Sequence, residues 1–210
     1  MLRYRLILSF ALMSFVAPLA AQAPAGWQVR VDRSQNASDP DNVPDLKVMT
    51  MGKGFHVTGG PAGVFWNPAN RVTGNYTAKA TFNLMKPSGH TNYYGLVFGG
   101  QALEGAAQKY IYFLVAQDGT YLIKARNGEK VEDIRGDTPH AAVRKPGADG
   151  RSTNNLEVRV GNDIQYVING TVVHTTPKSG LTAATDGVAG VRINHVLDVH
   201  VDGFEVQRQS

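Results

Sequence analysis

Residues 74–84 (GNYTAKATFNL) alternate strictly: Tyr76, Ala78, Ala80, Phe82 and Leu84 fall on one face, Thr77, Lys79, Thr81 and Asn83 on the other. A period of two fits a half-buried β-strand; a helix would scatter the same apolar residues around its circumference. Residues 155–160 (NLEVRV) repeat the pattern, with Leu156, Val158 and Val160 opposite Glu157 and Arg159. Residues 93–98 and 110–115 are almost continuously apolar and so are expected to be central strands covered on both faces. Asp118-Gly119, Asn127-Gly128 and Asn169-Gly170 each separate strand-like runs. Such dipeptides tolerate the positive φ angles of type I′ hairpin turns. About a dozen short strands are expected in this way. No segment has a convincing amphipathic helical period, and only 100–107 offers one helical turn. The predicted class is all-β, a sandwich or barrel of antiparallel sheets.

Composition excludes several alternatives. With no Cys among 210 residues, the chain has no disulfide framework, no thiolate zinc site and no cysteine nucleophile. Charged residues make up only 18 %, and the 21 Lys and Arg are scattered rather than clustered. That distribution argues against nucleic acid as a partner. The N-terminus reads as a secretory signal peptide over 1–21. Arg3 and Arg5 form its basic end, 6–16 (LILSFALMSFV) its apolar stretch, and small residues after Pro18 its cleavage region. Cleavage after Ala21 or after Ala23 fits. Losing Arg3 and Arg5 leaves 19 basic against 17 acidic residues, a net of +2. The expectation is a periplasmic or secreted protein with no membrane span after cleavage. Its mature part, 22–210, is predicted to be one domain.

Five stretches carry a family resemblance: 65–84 (FWNPANRVTGNYTAKATFNL), 94–100 (YGLVFGG), 110–124 (YIYFLVAQDGTYLIK), 156–170 (LEVRVGNDIQYVING) and 187–206 (GVAGVRINHVLDVHVDGFEV). In sequence and order they resemble the concanavalin A-like, laminin G-like jelly rolls of secreted bacterial proteins, near the 3-keto-disaccharide hydrolase domain family. The resemblance implies a jelly-roll sandwich of two antiparallel sheets. It also implies that the concave outer face of one sheet is the binding surface. It does not by itself choose a function, because this fold hosts lectins, hydrolases and adhesion modules.

Strand parity gives candidate ligand-binding residues. If Ile111, Phe113 and Val115 point inward, Tyr110 and Tyr112 point outward; the same reasoning places Tyr93, Lys124, Arg126, Arg192 and Asn194 on that outer face. Aromatic rings stack on the apolar faces of sugars, while Arg, Lys and Asn hydrogen-bond hydroxyls or carboxylates. The loop 36–45 (NASDPDNVPD) offers Asp39, Asp41, Asn42 and Asp45 as oxygen ligands for Ca²⁺, although the composition also suits Asx-turns. Asp198, His200 and Asp202 share a face of the last strand, but ligands at i, i+2 and i+4 span about 13 Å, too far for one ion.

For hydrolysis, two carboxylates should lie close together. The Glu-x-Asp-x-x-Glu signature of jelly-roll glucanases is absent. His195, Asp198 and Glu132 remain as candidate acids or bases. Asn36, Asn75 and Asn169 match the glycosylation sequon, but Asn75 opens a strand and Asn169 a turn, which explains both structurally. The leading expectation is a non-catalytic module that binds carbohydrate or a glycosylated surface. The alternatives are a glycoside-active hydrolase of the 3-keto-disaccharide type and an adhesion domain that docks a protein.

Overall fold

The computed structural model describes residues 23–33 and 45–209. The signal-peptide segment and the candidate metal ligands Asp39, Asp41 and Asn42 lie outside them. Fourteen strands follow one another in the described residues: β1 (Gln28–Asp32), β2 (Lys47–Met51), β3 (Gly54–Thr58), β4 (Ala62–Val72), β5 (Tyr76–Lys86), β6 (Tyr93–Gln101), β7 (Lys109–Ala116), β8 (Thr120–Asn127), β9 (Lys130–Pro139), β10 (Ser152–Val160), β11 (Asp163–Ile168), β12 (Thr171–Pro177), β13 (Gly187–Ile193) and β14 (Asp198–Arg208). A single 3₁₀ turn, Gly180–Thr182, precedes β13.

The strands form two antiparallel seven-stranded sheets. One has the order β1-β4-β13-β6-β7-β8-β9, the other β12-β11-β10-β5-β14-β3-β2. Both sheets mix strands from distant parts of the chain; β13, for example, lies between β4 and β6. This is the jelly-roll sandwich expected from the alternation and the resemblance.

The alternation of β5 is the clearest case of sequence becoming structure. Tyr76, Ala78, Ala80, Phe82 and Leu84 are fully buried, and they meet the apolar faces of β6, β7 and β13 in one core between the sheets. Phe113, at 0 % exposure, lies edge-on to Tyr121 and Tyr166, with ring centroids 6.1 and 5.3 Å away. Such edge-to-face contacts add to the burial of their area.

Turn chemistry differs in detail from the simple expectation of three type I′ turns. Only Asn169-Gly170 has both central φ angles positive, at 50° and 84°. Asp118-Gly119 closes a three-residue loop, with Gly119 in the left-handed region at φ 90° and its N–H donating to the Ala116 carbonyl. Asn127 stays in β8, and the two-residue turn is Gly128-Glu129, with positive φ only at the Gly, as a type II′ turn requires. Of residues 100–107, the first two end β6 and 102–107 form bends and turns, not a helical turn.

Asn169 has a second task. Its Nδ2 donates to the Ala142 carbonyl at 2.8 Å and to Asn154 Oδ1 at 2.9 Å, and its Oδ1 accepts from the Asn155 N–H. Asn154 is fully buried, and it also accepts from the Arg144 N–H and donates to the Arg144 carbonyl. This satisfied network ties the 140–150 segment to β10 and the β11–β12 turn.

His174 on β12 stands 6.0 Å, ring to ring, from Tyr166. Burial, then the nearby charge of Arg135, hold its pKa below the ordinary 6.5. The folded state therefore binds this proton less readily than the unfolded chain. Its contribution is fully present above pH 6.5 and is lost as pH falls through the lowered folded value. A His174→Gln variant should show a shallower loss of melting temperature below that pH, measured by thermal denaturation across a pH series.

Candidate functional site on the outer face of one sheet

The outer face of the β1–β9 sheet brings together every ligand-binding candidate that parity selected. Across the strands, Tyr112 stands opposite Val97 and Lys124, and Tyr110 opposite Arg126. Arg192 stands opposite Val64 and Gly95. Inward neighbours Ile111, Phe113, Val115, Val191 and Ile193 all belong to the core between the sheets.

The face is not a bare row of stacking platforms. Tyr93, Tyr110 and Tyr112 join Val64, Trp66, Val97, Leu103, Leu114 and Leu122 in a second apolar cluster. Tyr110 and Tyr112 are only 3 % and 8 % exposed. Leu103 enters from the β6–β7 loop, so that loop closes over part of the sheet. Gly190 makes room beside Trp66: a Cβ there would lie 2.3 Å from the Phe65 carbonyl oxygen and 3.1 Å from the Trp66 Cβ. Burial pushes the hydroxyl pKa of both Tyr93 and Tyr112 up to about 12, so both remain neutral donors and acceptors.

Over this cluster Arg126, Arg192 and Asn194 join a charge network centred on Asp32 and Arg30, which no sequence motif marks. Asp32, at the end of edge strand β1, accepts from Arg192 Nη1 at 2.7 Å, Arg30 Nε at 3.2 Å and Arg126 Nη1 at 3.4 Å. Arg192 Nη1 also donates to the Tyr110 hydroxyl at 3.0 Å, and its Nε donates to Asn194 Oδ1 at 3.1 Å. The Arg192 guanidinium sits 5.6 Å from the centre of the Tyr112 ring, a cation–π arrangement. Burial works against the Arg192 charge, but Tyr110, Asp32 and Tyr112 outweigh it and hold its pKa above the ordinary value. Arg126 Nε donates to the Gly128 carbonyl, and Arg30 Nη1 to the Gly105 carbonyl in the β6–β7 loop. Lys124 pairs at the rim with Asp133, 3.1 Å away.

The candidate acids and bases do not converge. Glu132 lies on β9 and pairs with Lys130 at 2.9 Å. Asp198 lies on the other sheet, 2.7 Å from His56 Nε2. His195 follows β13 and meets His90, with the two Nε2 atoms 3.1 Å apart; Asn92 Nδ2 lies 3.2 Å from His90 Nε2. Of the calcium candidates, the described Asp45 pairs with Arg33 Nη2. Among the described residues no group of three or more His, Asp or Glu is placed to hold a metal ion. No helix among them is long and apolar enough to cross a membrane.

A cavity of about 290 Å³ adjoins this network beside the ends of β7 and β8, lined by Lys109, Tyr110, Ile111, Arg126, Glu132 and Leu181. It brings Lys109 and the Glu132 carboxylate into one recess with Arg126 of the network.

No family model matches the chain, and no curated protein matches it. Solved structures do. A carbohydrate-binding module, CBM66, from Bacillus subtilis superposes with a TM-score of 0.63 at 9 % identity, covering 87 % of this chain and 95 % of that one. A GH16 protein of a Bacteroides ovatus mixed-linkage glucan locus, solved with a product, gives 0.58 at 10 % identity, covering 88 % and 96 %. The Emp46p carbohydrate recognition domain gives 0.57 at 14 % identity, covering 87 % and 88 %; it is also known in metal-free and potassium-bound forms. At these identities the likeness is one of fold: the chain has the concanavalin A-like jelly-roll architecture.

Proposed function

We propose that the protein is an exported carbohydrate-binding module that holds its ligand on the outer face of the β1–β9 sheet without turning it over. The observation that carries this is the convergence, on one sheet face, of Lys124, Arg126, Arg192 and Asn194 around Tyr93, Tyr110 and Tyr112. Cationic and amide donors held on a buried aromatic bed match the hydroxyls of a sugar. Two similar folds, the module from B. subtilis and the Emp46p domain, are named as carbohydrate binders, which supports the same reading. Separation of Glu132, His195 and Asp198 favours binding over hydrolysis, since an acid and base must meet at one bond.

The test is a glycan array probed with the mature chain from residue 22, with and without Ca²⁺. The expected result is selective binding without product formation. Lys124→Ala should weaken it about fivefold, as loss of a rim contact does, with an unchanged melting curve. Calcium dependence would favour the 36–45 loop as a candidate Ca²⁺ site. Binding to no glycan would overturn the proposal in favour of protein docking.

A further inference from the structure

Three guanidinium groups meet one carboxylate on the outer face of the β1–β9 sheet. Arg30, Arg126 and Arg192 all contact Asp32, so the cluster carries three positive charges against one negative, a surplus of two. Among the described residues, the hydrogen bonds of each arginine use its Nε and Nη1, which leaves Nη2 of each for solvent or a ligand. These side chains are mostly withdrawn from water, at 22 %, 18 % and 12 % exposure. Like charges at such burial repel strongly, and one carboxylate relieves only part of the repulsion. Lys124 adds a further cation at the rim, with Asp133 as its partner.

The spacing is already complementary to a carboxylate. Asp32 Oδ1 accepts from Arg30, and its Oδ2 accepts from Arg126 and Arg192. Each guanidinium still offers its charged Nη2 donors, and a second carboxylate accepts from them more strongly than a neutral hydroxyl does.

We propose that this face selects saccharides that carry a carboxylate, that is, uronate-containing glycans, with Arg126, Arg192 and Arg30 supplying the anion contacts. This rests on the carbohydrate-binding reading and gives it a ligand class. Asp32 holds the guanidinium groups at the spacing a second carboxylate needs and cancels one of their charges. The surplus draws the glycan carboxylate in, while Asn194 and Lys124 take its neutral hydroxyls.

The experiment is isothermal titration of the mature chain with oligogalacturonate, oligoalginate and glucuronoxylan oligosaccharides. Each is paired with its carboxyl-reduced neutral counterpart and with a sulfated oligosaccharide of equal length. The expected result is binding of at least one uronate about tenfold or more tighter than its reduced counterpart, weakening as salt is raised. Arg126→Gln should weaken that binding by about tenfold, and Arg126→Lys, which keeps the charge but loses the fork, by less. Thermal melting of each variant separates lost folding from lost binding, and the wild-type salt dependence stands without either variant. Equal affinity for acidic and reduced sugars would overturn the inference, as would preference for the sulfated probe. Selective binding of neutral glycans alone would overturn it but leave the carbohydrate-binding reading intact. Binding of no glycan at all would overturn both.

Discussion

Asp32→Ala is expected to lower the unfolding free energy by about 3 kcal/mol, although Asp32 belongs to an edge strand. The reason is what it leaves behind. Arg192 is almost wholly withdrawn from water, with Asp32, Tyr110 and Asn194 as its hydrogen-bond partners. Removing the carboxylate leaves Arg30, Arg126 and Arg192 facing one another without the anion they share. Breaking one side of a buried ion pair costs far more than replacing both sides with apolar groups. A double replacement, Asp32→Ala with Arg192→Met, should therefore recover part of the loss, because the thioether chain can rest on Tyr112. Acetate should also raise the melting temperature of Asp32→Ala more than an equal concentration of chloride, since it returns a carboxylate to the gap. Equilibrium urea unfolding of the four proteins of the cycle measures the coupling. Simple additivity of the two replacements would show that the pair makes no net contribution.

Phe113→Ala should cost about 3–5 kcal/mol. Phe113 sits on β7 inside its sheet, between Tyr121 of the neighbouring strand β8 and Tyr166 of β11 in the opposite sheet. Both tyrosines are held in place by their hydroxyls: Tyr121 donates to the Val173 carbonyl at 3.2 Å, and Tyr166 Oη lies 3.4 Å from Thr176 Oγ1. They cannot collapse into the space left by the ring without losing those partners, so a cavity remains. Phe113→Leu, which keeps most of the volume, should cost about 1–2 kcal/mol. Denaturant midpoints for the two variants check the ratio; equal losses would mean that the core around Tyr166 relaxes freely.

Much of the fold was legible in the residues because a strand with one buried face must alternate. In β5 and β10 the alternation named the buried set in advance, and in β6 and β7 the unbroken apolar runs meant two covered faces. The turns were less legible. Asn-Gly and Asp-Gly mark a hairpin, but which residues occupy the loop depends on the register of the flanking strands, so only Asn169-Gly170 adopts the simplest form.

The site divides in the same way. Period-two parity assigned Tyr93, Tyr110, Tyr112, Lys124, Arg126, Arg192 and Asn194 to one face, because parity is a local property of each strand. Burial of the tyrosines was not local: it depends on Leu103, Trp66 and Val64 arriving from other elements. Asp32 was invisible for the same reason. The run 28–32 (QVRVD) shows Arg30 and Asp32 on one face, but nothing in it says that Arg126 and Arg192 wait there, 94 and 160 residues away. The sequence by itself determined which side of each strand was apolar, where the hairpins fall and which charged groups share a face. Only the tertiary structure decided that four of those charges, three positive and one negative, close on one another over a buried aromatic bed. Strand order is set by contacts between segments far apart in the chain, and no local pattern encodes them.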